Sequence, residues 1–275
     1  MKKLRIIMLI LLPGLSQIIF AQGDLLVSPI RVVFEGNKQK EEISLVNIGN
    51  DTATYSVSFL QYNMTEDGNF VLIEKSDEGQ MFADSYLRVF PRQVTLAPRE
   101  AQVVRLQFRR KPGMTSGEYR SHLYFRAEKE IKPLGQDLSE KDPELMSVQI
   151  TPVFGISIPV IIRSGEVKVV STLSDLKIGF EQDTIANLKL VINRTGNISV
   201  YGDIIVEYIP AKGKPVEIGL VRGVAVYTSA NKRNFSVRLN NTKDINLSTG
   251  KLRVSYTSPK DSPYVLYAEK ELILD

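Results

Sequence analysis

Short stretches in which apolar and polar residues alternate recur along most of the chain. In the stretch EEISLVNIG, Ile43 and Leu45 alternate with polar residues, and Val104, Leu106 and Phe108 do the same in QVVRLQF. A period of two is the pattern of a half-buried β-strand, and Gly, Asn, Asp and Pro separate the stretches as they separate strands. Hardly any segment has the period of about 3.6 residues that an amphipathic helix requires. The pattern therefore predicts an all-β protein built from short strands.

The strand-like stretches fall into two sets along the chain. The first set ends near Arg163, and a second begins after Gly165 with GEVKVVST and continues to the last residues. A chain of 275 residues has the length of two ordinary domains. We therefore expect two β-sandwich domains, residues 22–164 and 165–275.

The first 21 residues have the three-part plan of a secretory signal peptide. Lys2, Lys3 and Arg5 precede an apolar stretch from Ile6 to Leu12, and the small residue Ala21 precedes a polar start. An uncut membrane anchor is the alternative, but proline, glycine and glutamine interrupt the apolar part, which is shorter than the roughly 20 residues of a span. The sequence predicts export, cleavage after Ala21 and, given this signal, a periplasmic location.

Charge and composition exclude several classes of function. The formal net charge is +4, but three positive charges belong to the signal peptide, so the mature chain carries about 4 − 3 = +1. This value gives no support to nucleic-acid binding, which needs a clustered basic face. The chain has no cysteine and a single histidine, His122, so the usual zinc sites and the Cys-His or Ser-His-Asp arrangements are unavailable.

No other catalytic or nucleotide-binding motif is present. Carboxylate pairs such as Glu41 with Glu42, or Asp142 with Glu144, lie in charged segments that are typical of a solvated face. No Walker-type loop or glycine-rich dinucleotide turn occurs. We therefore predict no enzyme, no catalytic or metal-binding residue and no cofactor. An enzyme or a carbohydrate-binding module is a third, weaker hypothesis, because 11 tyrosines could supply a stacking surface although tryptophan is absent.

One stretch, SVQITPVFGISIPVIIRSG from Ser147 to Gly165, is unusually apolar and long. It follows a charged segment from Ile131 to Met146 that holds two prolines and is typical of a long loop. An unpaired strand of this composition is an aggregation hazard, so the fold or a partner has to cover it. The two interpretations are a buried strand of an ordinary sandwich and a strand that is shared with another protein.

Three stretches in the first half carry recognisable motifs. LLVSPIRVVFEG places Arg31 shortly before a Val-Phe-acidic-Gly ending, and GEYRSHLYF precedes the charged segment and the apolar stretch. Between them, VFPRQVTLAPREAQVVRLQF has the spacing Pro-x(4)-Leu-x-Pro-x(6)-Arg, matched by Pro91, Leu96, Pro98 and Arg105. In this order the motifs resemble those of the PapD-like periplasmic chaperones of the chaperone-usher pathway, over about Leu25 to Arg163.

The resemblance implies two immunoglobulin-like β-sandwiches at an angle, with a cleft between them. It also implies that the apolar stretch is the last strand of the first sandwich, which such chaperones lend to a pilus subunit by β-augmentation. Arg31 would bind the subunit's C-terminal carboxylate in the cleft, and Ser157 falls where the family has a second cation, a lysine. The donated positions would be Val148, Ile150, Pro152 and Phe154.

The resemblance thus favours a periplasmic chaperone for pilus or fimbrial subunits. Its expected partners are a pilin-like subunit and, as a further candidate, an outer-membrane usher, with no nucleic acid and no small-molecule substrate. The alternative is an exported structural or adhesive immunoglobulin-like protein without chaperone activity, which uses its sandwiches as spacers. The absent lysine at Ser157 and the motif-poor second half are the features that motivate this alternative.

Overall fold

Most of the described residues lie in β-strands or in the turns between them. The computed structural model describes residues 24–128, 153–181, 185–240, 245 and 247–274. The predicted signal peptide, the charged segment 131–146 and the positions Val148, Ile150 and Pro152 lie outside these residues. Within them, the only helical segment is a single 3-10 turn, Asp84–Tyr86, and no helix is long and apolar enough to cross a membrane. The all-β prediction is confirmed.

Two sheets form the first sandwich. Its part of the chain contains β1 (Leu25–Ser28), β2 (Val32–Phe34), β3 (Lys40–Asn47), β4 (Ala53–Leu60), β5 (Tyr62–Met64), β6 (Phe70–Leu72), β7 (Leu87–Phe90), β8 (Gln93–Leu96), β9 (Ala101–Phe108), β10 (Gly117–Ala127) and β11 (Gly155–Ser164). One sheet has the order β1-β3-β9-β7 and the other β2-β11-β10-β4-β8. This is an immunoglobulin-like topology in which the first strand is divided between the sheets, so that β2 pairs in parallel with the last strand, β11.

The second sandwich is built from the remaining strands. They are β12 (Val169–Glu181), β13 (Ile185–Gly196), β14 (Val200–Ile209), β15 (Val216–Val226), β16 (Lys232–Arg238), β17 (Lys251–Thr257) and β18 (Leu266–Ile273). Their sheets have the orders β12-β13-β16 and β15-β14-β17-β18. The prediction of two β-sandwiches is therefore confirmed.

Each sandwich has its own apolar core, because the alternating strands turn their apolar side chains inward. In the first, Ile43 and Leu45 of β3 and Val104 and Leu106 of β9 are almost completely buried, as the alternation predicts. A separate cluster of buried residues fills the second sandwich. Between them the chain turns at Gly165, where φ is +64° and favours glycine.

The β5–β6 hairpin lies against the second sandwich. Met64 is 2% exposed and packs against Tyr227, which follows β15. At the hairpin turn, the Asn234 backbone N–H donates to the Glu66 carbonyl oxygen at 2.7 Å, and the Asn234 Nδ2 donates to Asp67 Oδ1 at 2.9 Å. These contacts attach the two sandwiches to each other beside the junction where Arg31 lies.

Candidate functional site

The first half of β11 has a partner strand on one side only. Strand β10 pairs with β11 along its whole length, from Gly155 to Ser164. Strand β2 joins the other side only at residues 160–162. Among the described residues, the edge formed by residues 155–159 has no partner strand.

The backbone direction along this edge follows from one hydrogen bond. The Ala127 N–H donates to the carbonyl oxygen of Phe154 at 2.9 Å, so Phe154 turns its main-chain groups towards β10. Because this direction alternates in an antiparallel pair, Gly155, Ser157 and Pro159 turn theirs towards the open edge. Pro159 therefore removes no hydrogen bond from the ladder with β10, which explains how this strand tolerates a proline.

The side chains of β11 divide between the core and the opposite face. Ile158, Val160 and Ile162 are buried in the first core, so the second half of the apolar stretch is fixed there. Phe154, the only predicted donor position within the described residues, is 49% exposed, and its neighbour Val153 is 37% exposed. An apolar segment therefore continues past the core into solvent.

Arg31 lies at the junction of the two sandwiches. It directly precedes the pair formed by Val32 and Val160, which places it beside Pro159. Its guanidinium lies over the ring of Tyr201 in β14, with the Cζ atom 4.3 Å from the ring centroid. Burial, followed by the nearby positive charge of Arg120, lowers the pKa of Arg31 to about 10, so the group stays protonated at neutral pH.

Ser157 lies on the same face of the sheet as Arg31. It is exposed and is two residues from Pro159, on the strand that runs beside Arg31. Across the sheet it pairs with Tyr124 of β10. Its hydroxyl is an uncharged donor at the mouth of the junction, whereas Arg31 lies further in.

A buried polar cluster, formed by Glu118, Arg120 and Ser199, connects the sandwiches next to Arg31. Arg120 Nη2 donates to Glu118 Oε1 at 2.6 Å and to Ser199 Oγ at 2.8 Å. The Ser199 hydroxyl and backbone N–H donate to Glu118 Oε2 at 2.7 and 3.0 Å. Burial alone would raise the pKa of Glu118, but the positive charge of Arg120 and the Ser199 hydrogen bonds hold it below its usual value.

His122 lies at the same junction, and its imidazole ring is uncharged there. Its Nε2 lies 3.1 Å from the Tyr227 hydroxyl, and the guanidinium of Arg120 lies 3.5 Å from the centroid of the Tyr227 ring. Burial, together with the positive charges of Arg120 and Arg31, lowers the pKa of His122 to about 3. The ring is therefore uncharged at neutral pH and is a packing and hydrogen-bonding residue.

The sequence motifs identified Arg31 and Ser157 but missed the side chains that surround them. Glu118, Arg120 and His122 occupy alternate positions of GEYRSHLYF, so they share one face of β10. That alternation was the available signal, since a strand with polar residues on one face and Leu123 on the other indicates a polar contact surface. Tyr201 carried no signal, because its contact with Arg31 joins distant parts of the chain.

The site has the chemistry of anion binding. The guanidinium of Arg31 has no carboxylate or hydrogen-bond acceptor paired with it among the described residues. Within the same residues, no group of three or more His, Asp or Glu side chains is placed to hold a metal ion. An open strand edge beside a protonated, unpaired guanidinium suits an extended peptide that ends in a carboxylate.

Comparison with known proteins gave matches at the level of structure only. No family model and no curated protein sequence matches the chain. The YadV chaperone is similar with a TM-score of 0.46 and 12% identity, covering 92% of this chain and 100% of that one. The CsuC–CsuE chaperone–tip subunit complex of Acinetobacter baumannii is similar with a TM-score of 0.46 and 12% identity, covering 90% of this chain and 99% of that one. The SafB chaperone, solved with the SafA pilin of Salmonella enterica, is similar with a TM-score of 0.40 and 13% identity, covering 92% of this chain and 97% of that one.

All three solved structures contain a chaperone; CsuC belongs to chaperone-usher pili, and SafB was solved with a pilin. At 12–13% identity and TM-scores of 0.40–0.46, the similarity assigns no function to this chain. The topology of the two sandwiches, the open edge of β11 and the unpaired Arg31 are the features from which a function follows.

Proposed function

We propose that this protein is a periplasmic chaperone that binds pilus or fimbrial subunits. It lends the open edge of β11 to a subunit and anchors the subunit's C-terminal carboxylate at Arg31. The observation that carries the proposal is the combination of an edge without a partner strand at residues 155–159 with the unpaired guanidinium of Arg31 beside it. Among the described residues, no strand pairs with this edge and no carboxylate pairs with this guanidinium.

The open edge would bind a subunit by main-chain hydrogen bonds. Gly155 and Ser157 turn their N–H and C=O groups outward, so an added strand could continue the ladder that β10 begins. Apolar side chains from the preceding residues would fill the groove of the subunit. The proposed donor positions are Val148, Ile150, Pro152 and Phe154, of which Phe154 has an exposed side chain.

Arg31 would supply the polar end of the same interaction. Its guanidinium lies over the Tyr201 ring and has no hydrogen bond among the described residues, so its N–H groups would be available to a carboxylate. Ser157 would add a hydroxyl donor closer to the solvent, in place of a second cation. A hydrogen bond to a charged group contributes about 1.5–3 kcal/mol, so we expect the anchor to change affinity by roughly tenfold to a hundredfold.

The proposal includes export, a division of the chain and a non-enzymatic role. The first 21 residues would be removed as a signal peptide, and the domains would span residues 22–164 and 165–275. A pilin-like subunit would be the main partner and an outer-membrane usher a further one. The neutral, hydrogen-bonded state of the lone histidine supports a role in binding without catalysis.

Co-expression with pilin-like subunits tests the proposal. We expect a soluble one-to-one complex with the unchanged chain, a much lower yield with Arg31→Ala and a lower yield with Phe154→Asp. Arg88→Ala and Phe180→Asp are matched controls, because both residues are exposed and lie away from β11. The yield of complex after affinity purification and size-exclusion chromatography is the measurement.

A second experiment distinguishes strand donation by β11 from carboxylate binding at Arg31. A subunit extended by a few residues at its C-terminus places its carboxylate away from Arg31, so it should lose about as much affinity as Arg31→Ala does. If the extension, Arg31→Ala and Phe154→Asp all leave the yield unchanged, the chaperone mechanism is wrong. The exported structural or adhesive role would then be the better explanation.

A further inference from the structure

The second sandwich contributes a side chain to the site, and no sequence motif predicts this contribution. Tyr201 in β14 presents its ring to the Arg31 guanidinium at 4.3 Å, across the junction of the sandwiches. Among the described residues, no ion pair or hydrogen bond holds that guanidinium, and Tyr201 is the ring over which it lies. The orientation of Arg31 therefore depends on a residue from the other domain.

The surroundings of Tyr201 hold its ring in place. Tyr201 packs against the buried cluster of Met64, Ala225 and Tyr227, which joins the β5–β6 hairpin to the second sandwich. At the hydroxyl end of the ring, a Cβ at Gly223 would lie 3.1 Å from the Tyr201 hydroxyl, and φ at Gly223 is +73°. A glycine there leaves the room that the hydroxyl occupies. These contacts restrict the position of the half-buried ring.

We propose that Tyr201 is a positioning residue for carboxylate binding by Arg31. The inference rests on the proposed function and assigns the second sandwich a part in it. A ring face attracts a guanidinium through its quadrupole and contacts the flat side of the group. By limiting where the guanidinium lies, the ring keeps its N–H groups available to a carboxylate at the junction. Without the ring, the long Arg31 side chain samples other rotamers and loses entropy on binding.

The test compares three variants of the full mature chain. Tyr201→Leu removes the ring but keeps an apolar side chain, and Tyr201→Phe keeps the ring and removes only the hydroxyl. Tyr264→Leu is the matched control, since Tyr264 also belongs to the second half and is 75% exposed. The readout is the Nε–Hε signal of Arg31 in the proton–nitrogen NMR spectrum, assigned by its absence in Arg31→Lys. Acetate serves as the carboxylate probe.

We expect a sharp, shifted Arg31 signal in the unchanged chain, in Tyr201→Phe and in Tyr264→Leu. In Tyr201→Leu the signal should move to the position of a solvated arginine and broaden by exchange with water, and acetate should bind about fivefold more weakly. A merely structural role for Tyr201 would lower the thermal midpoint without moving this signal. An Arg31 signal and acetate affinity in Tyr201→Leu equal to those of the unchanged chain would overturn the inference.

The two proposals fail in different ways. If subunits do not bind the unchanged chain, the proposed function is wrong, whereas the Arg31 signal still reports whether Tyr201 orients the guanidinium. If subunits bind and the yield depends on Arg31 but not on Tyr201→Leu, the chaperone function stands and the role of Tyr201 is wrong. In the Arg31→Ala background, Tyr201→Leu should have no additional effect on subunit recovery, because the two residues act as a unit.

Discussion

At the scale of single residues, the junction of the sandwiches depends on charges that are buried together. Glu118 is 1% exposed and Arg120 is 6% exposed, and they form an ion pair with Nη2 to Oε1 at 2.6 Å. Removing one partner of such a pair leaves an uncompensated charge, which is far more destabilising than replacing both. The pair therefore fixes how the first sandwich meets Ser199 of the second.

Glu118→Gln should destabilise the protein by about 3 kcal/mol, because Arg120 would keep its charge without a counterion in a buried position. The double variant Glu118→Gln with Arg120→Gln should recover part of that loss. Urea denaturation measures the free energy of unfolding of both variants. A loss for the single variant no greater than for Glu42→Gln, whose carboxylate pairs with Arg105 at the surface, would contradict this role.

His122 should make the free energy of unfolding depend on pH. It is the only histidine, and its pKa in the folded protein is about 3, below the usual 6.5. Below pH 6.5 the unfolded chain binds a proton that the folded chain does not, so stability falls as the pH falls. The expected slope is about 1.4 kcal/mol per pH unit between roughly pH 6 and 5.

Urea denaturation at several pH values checks this slope, and His122→Gln should abolish it. Glutamine can still hydrogen-bond to Tyr227, so the variant is expected to fold. An equal slope in the variant and the unchanged chain would show that His122 is not held neutral. Below about pH 4.5, the lowered pKa of Glu118 adds a second loss of stability in the same direction.

At the scale of elements, the β5–β6 hairpin is the feature that holds the sandwiches together beside the site. Its two strands belong to the first half of the chain, yet Met64 is buried against Tyr227 and the turn bonds to Asn234. Its outer strand is exposed on all three residues, including Val71 at 50%. The hairpin thus acts through its inner strand, its turn and the ring of Phe70, whose centroid lies 5.4 Å from that of Tyr227.

Met64→Ala should cost about 2–5 kcal/mol, the range for large-to-small changes at buried sites. Val71→Ala in the same hairpin is the control and should change the free energy of unfolding by less than about 0.5 kcal/mol. Urea denaturation gives both values, and small-angle X-ray scattering shows whether the sandwiches separate. A Met64→Ala protein as stable as Val71→Ala would contradict a bridging role for the hairpin.

The strands themselves could be predicted from local pattern, whereas the contacts between them could not. The alternation in EEISLVNIG predicts β3, because the positions that turn Ile43 and Leu45 inward follow from neighbouring residues alone. The docking of Met64 on Tyr227 depends on residues far apart in sequence, so no period reveals it. For the same reason Arg31 was found through its motif, but its stacking on Tyr201 was not.

At the scale of the whole molecule, two sandwiches with separate cores meet at a polar junction that opens onto the edge of β11. The second half of β11 is fixed in the first core, and its first half, with Gly155 and Ser157, turns main-chain groups to the open side. The junction adds Arg31, a cation without a carboxylate partner among the described residues. Strand edge and cation together define where a partner with a free C-terminus would lie.

The most direct test of strand sharing is amide hydrogen exchange at Gly155 and Ser157, measured by NMR in the free protein and in the purified complex with a subunit. In the free protein both amides should exchange rapidly, because they face an edge without a partner strand. In the complex both should become strongly protected, while the amides of Ile156 and Ile158, already bonded to β10, should change little. Rapid exchange of Gly155 and Ser157 in a stable complex would contradict strand sharing.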